Sequence, residues 1–351
     1  ERIRGLSLIL FIGLLLCFWQ LGSTGLIDET PPKFAAAART MSATGDWLTP
    51  RANGIPRFDK PPLIYWLMGL VYMLPSQEVW DPLGSLAARL PSALSSVLVM
   101  LVLGDTVMRW PQADEAFPRR TGIITAFAFV LSPLVLIWSR IAVSDALLCS
   151  TFSLSMLLQW RCYVKPTRHS WTFGWIVLGL AVLSKGPVAL VLMGMTLALF
   201  SWYQDDFSLL WKRLRIIPGL LITAFISLPW YLLELLKEGK PFWDSFFGYH
   251  NFQRFISVVN SHQEPWWFFC LVLILASLPF TPLLILGLIR VFSPLWQRFE
   301  NLKKEPHESL MAFAACWLIC VFVLFTCAST KLPSYWLPAT PAAAILIGLA
   351  E

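Results

Sequence analysis

The chain has 351 residues, of which 57% are hydrophobic and only 14% charged, and its mean hydropathy is +0.64; soluble domains carry roughly 25% charged residues, so the composition excludes the soluble class and points to a membrane protein. The formal net charge of +6 does not signal nucleic acid, because Lys and Arg are scattered through short loops and no basic stretch interleaves with aromatics as single-strand binding requires. The seven cysteines, Cys17, Cys149, Cys162, Cys270, Cys316, Cys320 and Cys327, lie almost all in apolar runs without CxxC spacing or His neighbours, which argues against a disulfide framework or zinc knuckle and for small buried hydrophobes.

A membrane-crossing helix needs roughly 20 apolar residues. Such runs are predicted at 6–27, 84–108, 121–138, 142–161, 171–184, 187–203, 214–235, 266–291, 309–328 and 335–350, about ten spans. The stretch 171–203 reads as two spans meeting at Ser184-Lys185-Gly186-Pro187, since a charge beside Gly and Pro is poorly left in hydrocarbon. The chain starts at Glu1 and stops inside an apolar run at Glu351, which reads as a trimmed piece with residues missing at both ends. The expected fold is all-α: a polytopic transmembrane helical bundle with two long outer loops carrying short interfacial helices.

Placing Arg2 and Arg4 on the cytoplasmic side makes every loop on that side basic: Arg109, Arg119 and Arg120; Arg161, Lys165 and Arg168; Lys212, Arg213 and Arg215; and Arg290, Arg298, Lys303 and Lys304. This satisfies the positive-inside rule and predicts a multi-pass protein of the plasma (inner) membrane with a cytoplasmic N-terminus. The outer side then receives two long segments, 28–83 and 236–265, and tight turns near Arg140, Lys185 and Lys331.

Within 28–83, Ala35–Arg39 reads as a short helix, Gly45-Asp46 and Asn53-Gly54 as turns, and Pro62–Leu74 as an interfacial helix too short to span. In 236–265, Phe242, Trp243, Phe246, Phe247 and Tyr249 alternate with polar residues, and Trp266 and Trp267 open the next span. Aromatics of this kind favour the lipid–water boundary.

Candidate chemistry gathers on this outer face. Asp28-Glu29 follows the first span. Arg57-Phe58-Asp59-Lys60-Pro61-Pro62 puts Lys60 on a turn stiffened by two prolines. Ser139-Arg140 and Asp145 bracket the start of the fourth span, and Lys185 sits on a sharp Gly-Pro turn. An ionisable group within a span costs roughly 2.5–3.5 kcal/mol on insertion scales, so Asp145 and Lys185 are candidates for a task. Lysines near glycine turns suit phosphate. Arg254, within His250-Asn251-Phe252-Gln253-Arg254-Phe255, is a candidate anion ligand, and Lys331-Leu332-Pro333-Ser334-Tyr335 adds one more cation. No cofactor is required. A divalent cation remains compatible with Asp28, His250 and Glu264, although His250 and His262 do not have a recognised ligand spacing.

Lipid phosphates lie at this depth. Cations would hold a phosphate diester while a carboxylate acts as base on an incoming nucleophile, which is group transfer from a lipid-phosphate donor. Two other readings stay open. A lipid-linked transporter or flippase would expose its cavity to both faces and often carries repeat symmetry; the sequence shows no internal repeat. A non-catalytic envelope scaffold would tolerate loss of Asp28, Asp145 and Lys60 together.

The run Asp28-Glu29-Thr30, Arg39-Thr40-Met41, Thr44-Gly45-Asp46-Trp47-Leu48-Thr49-Pro50, Asn53-Gly54, Phe58-Asp59-Lys60-Pro61-Pro62-Leu63 and Tyr65-Trp66 resembles the first outer loop of the bacterial aminoarabinose transferases and related protein O-mannosyltransferases. Ser144-Asp145, Ser184-Lys185-Gly186-Pro187, His250–Phe255, Glu264-Pro265-Trp266-Trp267 and Lys331–Tyr335 follow in the family's order. The resemblance implies one GT-C-type transmembrane domain over 1–351, with C-terminal spans or a soluble domain missing. It also implies transfer of a sugar from a polyprenyl-phosphate donor to a lipid, glycan or protein acceptor on the outer face, with inversion and without a nucleotide sugar. Asp28, with Glu29 beside it, would orient or deprotonate the acceptor. Asp145 matches a second acidic residue, Lys60 and Lys185 the donor-phosphate lysines, and Arg254 and Lys331 basic positions near the same cavity. Lys33, Arg57, Asp59, Tyr65, His250 and Tyr335 would line it. The chain departs from the family where Pro31-Pro32 follows Asp-Glu-Thr, with Lys33-Phe34 taking the place of an Arg-Tyr pair. Asp59 replaces a glutamate, and His250 is displaced by one position.

Overall fold

The computed structural model describes residues 1–112, 117–253, 264–296 and 305–350. It is all-α apart from one two-stranded hairpin among the described residues. The apolar runs become helices that pack as a bundle, with Ser144–Val164 at its centre, against Ser85–Arg109 and Ser170–Lys185. That central helix buries residues on every side, from Ala146 and Leu148 to Trp160 and Tyr163, as an interior helix must.

Lipid tails are as apolar as leucine, so such helices associate through close packing and interhelical hydrogen bonds. Both devices occur. Gly104 and Gly122 bring two helices together, and Gly219 lies flat against the Trp175 ring. Ser132 donates to the Ala276 carbonyl at 2.6 Å, Ser155 to Gly174 at 2.7 Å and Thr223 to Trp175 at 2.9 Å, each bond joining two helices. Five cysteines are buried as expected, while Cys270 and Cys327 are exposed.

The ten predicted spans do not emerge as ten uninterrupted helices. Ser85–Arg109, Ile216–Glu238 and Leu310–Cys327 are each long and apolar enough to cross a membrane, and Phe268–Ala276 with Thr281–Ser293, bent by 113°, make a fourth if counted together. Prolines explain much of the difference. Ser132, before Pro133, takes an extended conformation, ψ 125°, because proline disfavours the helical region for its predecessor. The run 121–138 therefore splits into Pro118–Val130 and Pro133–Trp138. Likewise 335–350 begins as a 3-10 turn over Pro333–Ala339 before Thr340–Ala350. The first run stops at Phe18. Carbonyls in its last turn and just beyond it are taken by Arg140 (Leu16 at 3.0 Å, Trp19 at 2.6 Å) and Arg89 (Leu21 at 2.7 Å, Gly25 at 2.8 Å).

The 171–203 stretch divides as expected, into Ser170–Lys185 and Val188–Gln204. Gly186 between them has φ 104°, ψ −163°, a conformation open only to glycine.

The segment 28–83 is ordered. The short helix expected at Ala35–Arg39 runs over Thr30–Thr44, because Pro31 and Pro32 occupy its first positions, where a missing N–H costs nothing. Asn53 and Gly54, both with positive φ (54° and 79°), turn the hairpin that pairs Arg51 with Pro56 and Ala52 with Ile55, as a two-residue Asn-Gly loop favours. Leu63–Tyr72 forms the expected short helix and buries Leu63, Ile64, Tyr65 and Met68.

This segment is fastened to the end of the Ile216–Glu238 helix. Trp230 donates to the Leu48 carbonyl at 3.0 Å, Thr49 to the Glu234 carboxylate at 3.0 Å and Lys237 to Asp46 at 2.7 Å, while Arg51 pairs with Glu238. Asp46 is pushed up by its partial burial and pulled down more strongly by Lys237 and the Leu48 and Thr49 amides, so it ends below the ordinary carboxylate range.

Candidate active site

Two rigid elements deliver the lysines. Lys60 stands where the hairpin ends and Pro61-Pro62 start the Leu63–Tyr72 helix. Its ammonium donates to the Asp59 carbonyl at 2.9 Å. The Asp59 side chain is held by Arg57, at 2.6 Å and 3.2 Å to its two oxygens, and by the Tyr65 hydroxyl at 3.3 Å. Such a two-point guanidinium contact fixes orientation as well as charge. The Phe34 ring backs this group, stacking on Tyr65 at 5.1 Å and lying 5.1 Å from the Arg57 guanidinium. Burial pushes the Asp59 carboxyl up, but Lys60, Arg57 and His250 pull harder, and the net position is below the ordinary value. Burial, reinforced by the Asp59 charge, keeps Tyr65 a neutral phenol well above its usual range.

Lys185 ends the Ser170–Lys185 helix, and Gly186 turns the chain away so that its side chain points inward. Its ammonium meets Asp145, in the first turn of the central helix, at 2.6 Å and lies 4.9 Å from the Tyr335 ring centroid. Both side chains are about one-sixth exposed, 16% and 15%. Lys60 and the Ser334 hydroxyl also act on Asp145.

These groups border a cavity of about 720 Å³, lined at its polar end by Asp59, Lys60, Lys185, His250, Ser334 and Tyr335. The remaining wall is apolar: Leu148, Val188 and Val191 on one side, Leu324 and Phe325 on another. Trp243, Phe247 and Phe252, from the stretch Lys240–Trp243 and the π-helical turn Asp244–Gln253, close it. Two ammonium groups at one end of an apolar chamber suit an amphiphile with a phosphate head.

The structure does not bring every sequence candidate here. Asp28, Glu29 and Lys33 lie outside the cavity lining, exposed at the start of the Thr30–Thr44 helix. Asp28, with φ 77°, accepts the Glu29 N–H at 2.7 Å, and Glu29 pairs with Lys33 one turn on. Arg57 and Tyr65 support Asp59 from behind without lining the cavity. Lys331 is buried next to the lining residue Thr330 but is not itself part of it. Arg254 and His262 lie outside the described residues. The candidate metal set is not assembled: Glu264 is exposed, Asp28 stands away from His250, and among the described residues no group of three His, Cys, Asp or Glu could hold an ion. Arg140, expected beside Asp145, instead caps the first helix.

Sequence reasoning missed the cavity's far wall. Trp243 and Phe247 were legible only as boundary aromatics, and Val188, Val191, Leu324 and Phe325 carry no signal distinguishing them from other apolar helix residues.

The family model described as dolichyl-phosphate-mannose-protein mannosyltransferase matches residues 59–232, a stretch containing Lys60, Asp145 and Lys185. The chain is 28% identical over 327 residues to the undecaprenyl phosphate-alpha-4-amino-4-deoxy-L-arabinose arabinosyl transferase of Pseudomonas paraeruginosa, covering 92% of this chain and 54% of that one. The crystal structure of ArnT from Cupriavidus metallidurans bound to undecaprenyl phosphate superposes with a TM-score of 0.82 at 27% identity, over 98% of this chain and 59% of that one. The oligosaccharyltransferase of Archaeoglobus fulgidus shares the fold alone, with a TM-score of 0.64 at 14% identity, over 99% of this chain and 48% of that one. The chain thus spans somewhat more than half the length of the Pseudomonas paraeruginosa and Cupriavidus metallidurans proteins. By fold, and by sequence over nearly its whole length, the chain resembles the GT-C-fold membrane glycosyltransferases of the ArnT type.

Proposed function

We propose that the chain forms the transmembrane unit of a glycosyltransferase that moves a sugar from a polyprenyl-phosphate donor to a lipid, glycan or protein acceptor, with inversion. One observation carries the reading: Lys60 and Lys185, from distant parts of the chain, converge on the polar end of an otherwise apolar cavity. The lysines hold the donor phosphate, and the apolar wall takes the start of the isoprenoid chain. Asp28 accepts the proton of the acceptor hydroxyl, whose oxygen attacks the anomeric carbon. The bond from that carbon to the phosphate oxygen breaks, and the polyprenyl phosphate leaves with its charge opposed by the two ammonium groups. The exposure of Asp28 leaves it open to an acceptor arriving from outside the cavity. Asp145 keeps Lys185 aimed at the phosphate. Lys331, buried next to the lining residue Thr330, adds positive potential; the resemblance assigns Arg254 to the same role; and Glu29 and Lys33 flank the acceptor entrance.

The reading treats 1–351 as one membrane unit of the inner membrane, N-terminus cytoplasmic, with segments 28–83 and 236–265 outside. The basic loops at the opposite helix ends support that orientation.

The test is transfer by purified protein from a panel of radiolabelled polyprenyl-phosphate sugars, with membrane extract as acceptor. Wild type should move label from one donor. Asp28→Asn should bind that donor with little change and fail to transfer, while Lys60→Ala and Lys185→Ala should weaken donor binding. Equal donor affinity in wild type and both lysine variants would sink the phosphate assignment, and donor binding without turnover in full-length protein would favour a transporter or scaffold.

A further inference from the structure

A second surface of mixed character lies at the helix ends opposite the cavity. Phe207–Leu214 is a short helix capped by Asp206, whose side chain accepts the Leu209 N–H at 3.2 Å. It leads directly into Ile216–Glu238, a helix long and apolar enough to cross a membrane. The far end of that helix, at Glu234 and Glu238, grips the outer segment that carries Lys60. Phe207–Leu214 therefore sits one membrane-length from the cavity.

Leu210 and Leu214 bury the inner side of this helix in the bundle. Its outer side mixes rings and cations. Phe207 is 60% and Trp211 40% exposed, with ring centroids 5.5 Å apart. Lys212 and Arg215 are exposed beside them, and the Arg215 guanidinium lies 5.3 Å from the Trp171 ring centroid. Arg213, between them, behaves differently: it turns inward and donates to the Tyr163 carbonyl. No ion pair joins Lys212 or Arg215 to an acid among the described residues.

A water-facing surface has no use for two exposed aromatic rings, and a hydrocarbon-facing one excludes Lys and Arg. Rings and unpaired cations on one short helix, at the end of a spanning helix, fit the headgroup layer, with the rings at the acyl boundary and the cations among phosphates. The geometry points to a binding surface for anionic phospholipid headgroups formed by Phe207, Trp211, Lys212 and Arg215. A zwitterionic headgroup brings its own ammonium against these cations, whereas an anionic one brings net negative charge, which basic membrane-surface residues attract. The surface is remote from the cavity, at the other end of the Ile216–Glu238 helix.

Native mass spectrometry of the full chain, released from mixed phosphatidylglycerol–phosphatidylethanolamine nanodiscs, tests this. Wild type should retain phosphatidylglycerol over phosphatidylethanolamine, and Lys212→Gln/Arg215→Gln should reduce the preference by roughly tenfold. Equal retention of the two lipids by wild type, or an unchanged preference in the double variant, would overturn the proposal. A second measurement avoids any folding defect of that variant: brominated phosphatidylglycerol should quench Trp211, read as wild type minus Trp211→Phe, more than brominated phosphatidylethanolamine does. Rising salt should remove the difference; equal quenching by both lipids overturns the assignment.

Discussion

Lys185 and Asp145 show how a charge tolerates the interior of a membrane protein. Their 2.6 Å contact leaves each with an opposite partner where water is scarce, and removing one strands the other. Breaking a buried pair in this way costs about 3–5 kcal/mol. Lys185→Ala should therefore lower the unfolding temperature markedly in detergent. Asp145→Ala/Lys185→Ala should recover much of that stability, yet bind donor no better than Lys185→Ala. Recovery of donor binding by the double variant would mean that Lys185 serves only as a counter-ion. Asp59 offers a pH test. Arg57 and Lys60 hold its carboxyl lower in the folded protein than in the unfolded chain, so the folded state takes up its proton at lower pH. The stability it contributes is present above the ordinary carboxylate range and is lost as pH falls through that range towards the folded value. Unfolding temperatures from pH 7 down to about 3 should fall less steeply in Asp59→Asn, which should start lower at neutral pH; parallel curves would contradict the assignment.

At the scale of elements, backbone approach sets the packing. A Cβ on Gly219 would come within 2.1 Å of the Trp175 indole, and that ring is 1% exposed, with its Nε1 donating to the Leu214 carbonyl at 2.9 Å. The ring cannot retreat without losing this bond. Gly219→Ala should cost about 1–3 kcal/mol, as overpacking does. Gly194→Ala, where a Cβ meets open space, is the matched control and should leave the melting temperature nearly unchanged. Similar shifts in both variants would show that the two helices slide to relieve the contact.

At the scale of the molecule, the segment 28–83 and the stretch Lys240–Gln253 are braced against one spanning helix, and the cavity depends on that bracing. Trp230 reaches Leu48 in the first segment by its hydrogen bond and packs edge-on at 5.6 Å against Phe242 in the second; Phe242 stacks on Phe246, which meets the cavity-lining Phe247. Trp230→Ala should destabilise by about 3–5 kcal/mol. It should also weaken donor binding without touching the donor and raise hydrogen exchange in both 46–51 and 242–247. Exchange confined to one segment would show that Trp230 does not couple them.

Much of this protein was legible in the sequence, for reasons of solvent and covalent geometry. Long apolar runs can only be helices in lipid, because every backbone polar group must be satisfied internally, so most helix positions and the break at Gly186-Pro187 followed directly. Asn53-Gly54 dictated its turn, and the Lys60 and Lys185 contexts marked them as site candidates. Span continuity did not follow: whether Pro133 bends a span or ends it depends on which neighbours accept the freed backbone groups. Nor did the cavity wall, since Val191 and Phe325 differ from other apolar residues only in what faces them. The partners of arginines were equally hidden. Arg57 went to Asp59, and Arg140 to carbonyls of a helix more than 100 residues earlier, because a guanidinium bonds to whatever acceptors the packed helices leave unpaired. The sequence by itself determined which segments are helical; the tertiary structure alone decided which of the cations share a cavity, because that depends on how the helices pack across the bundle and not on spacing along the chain.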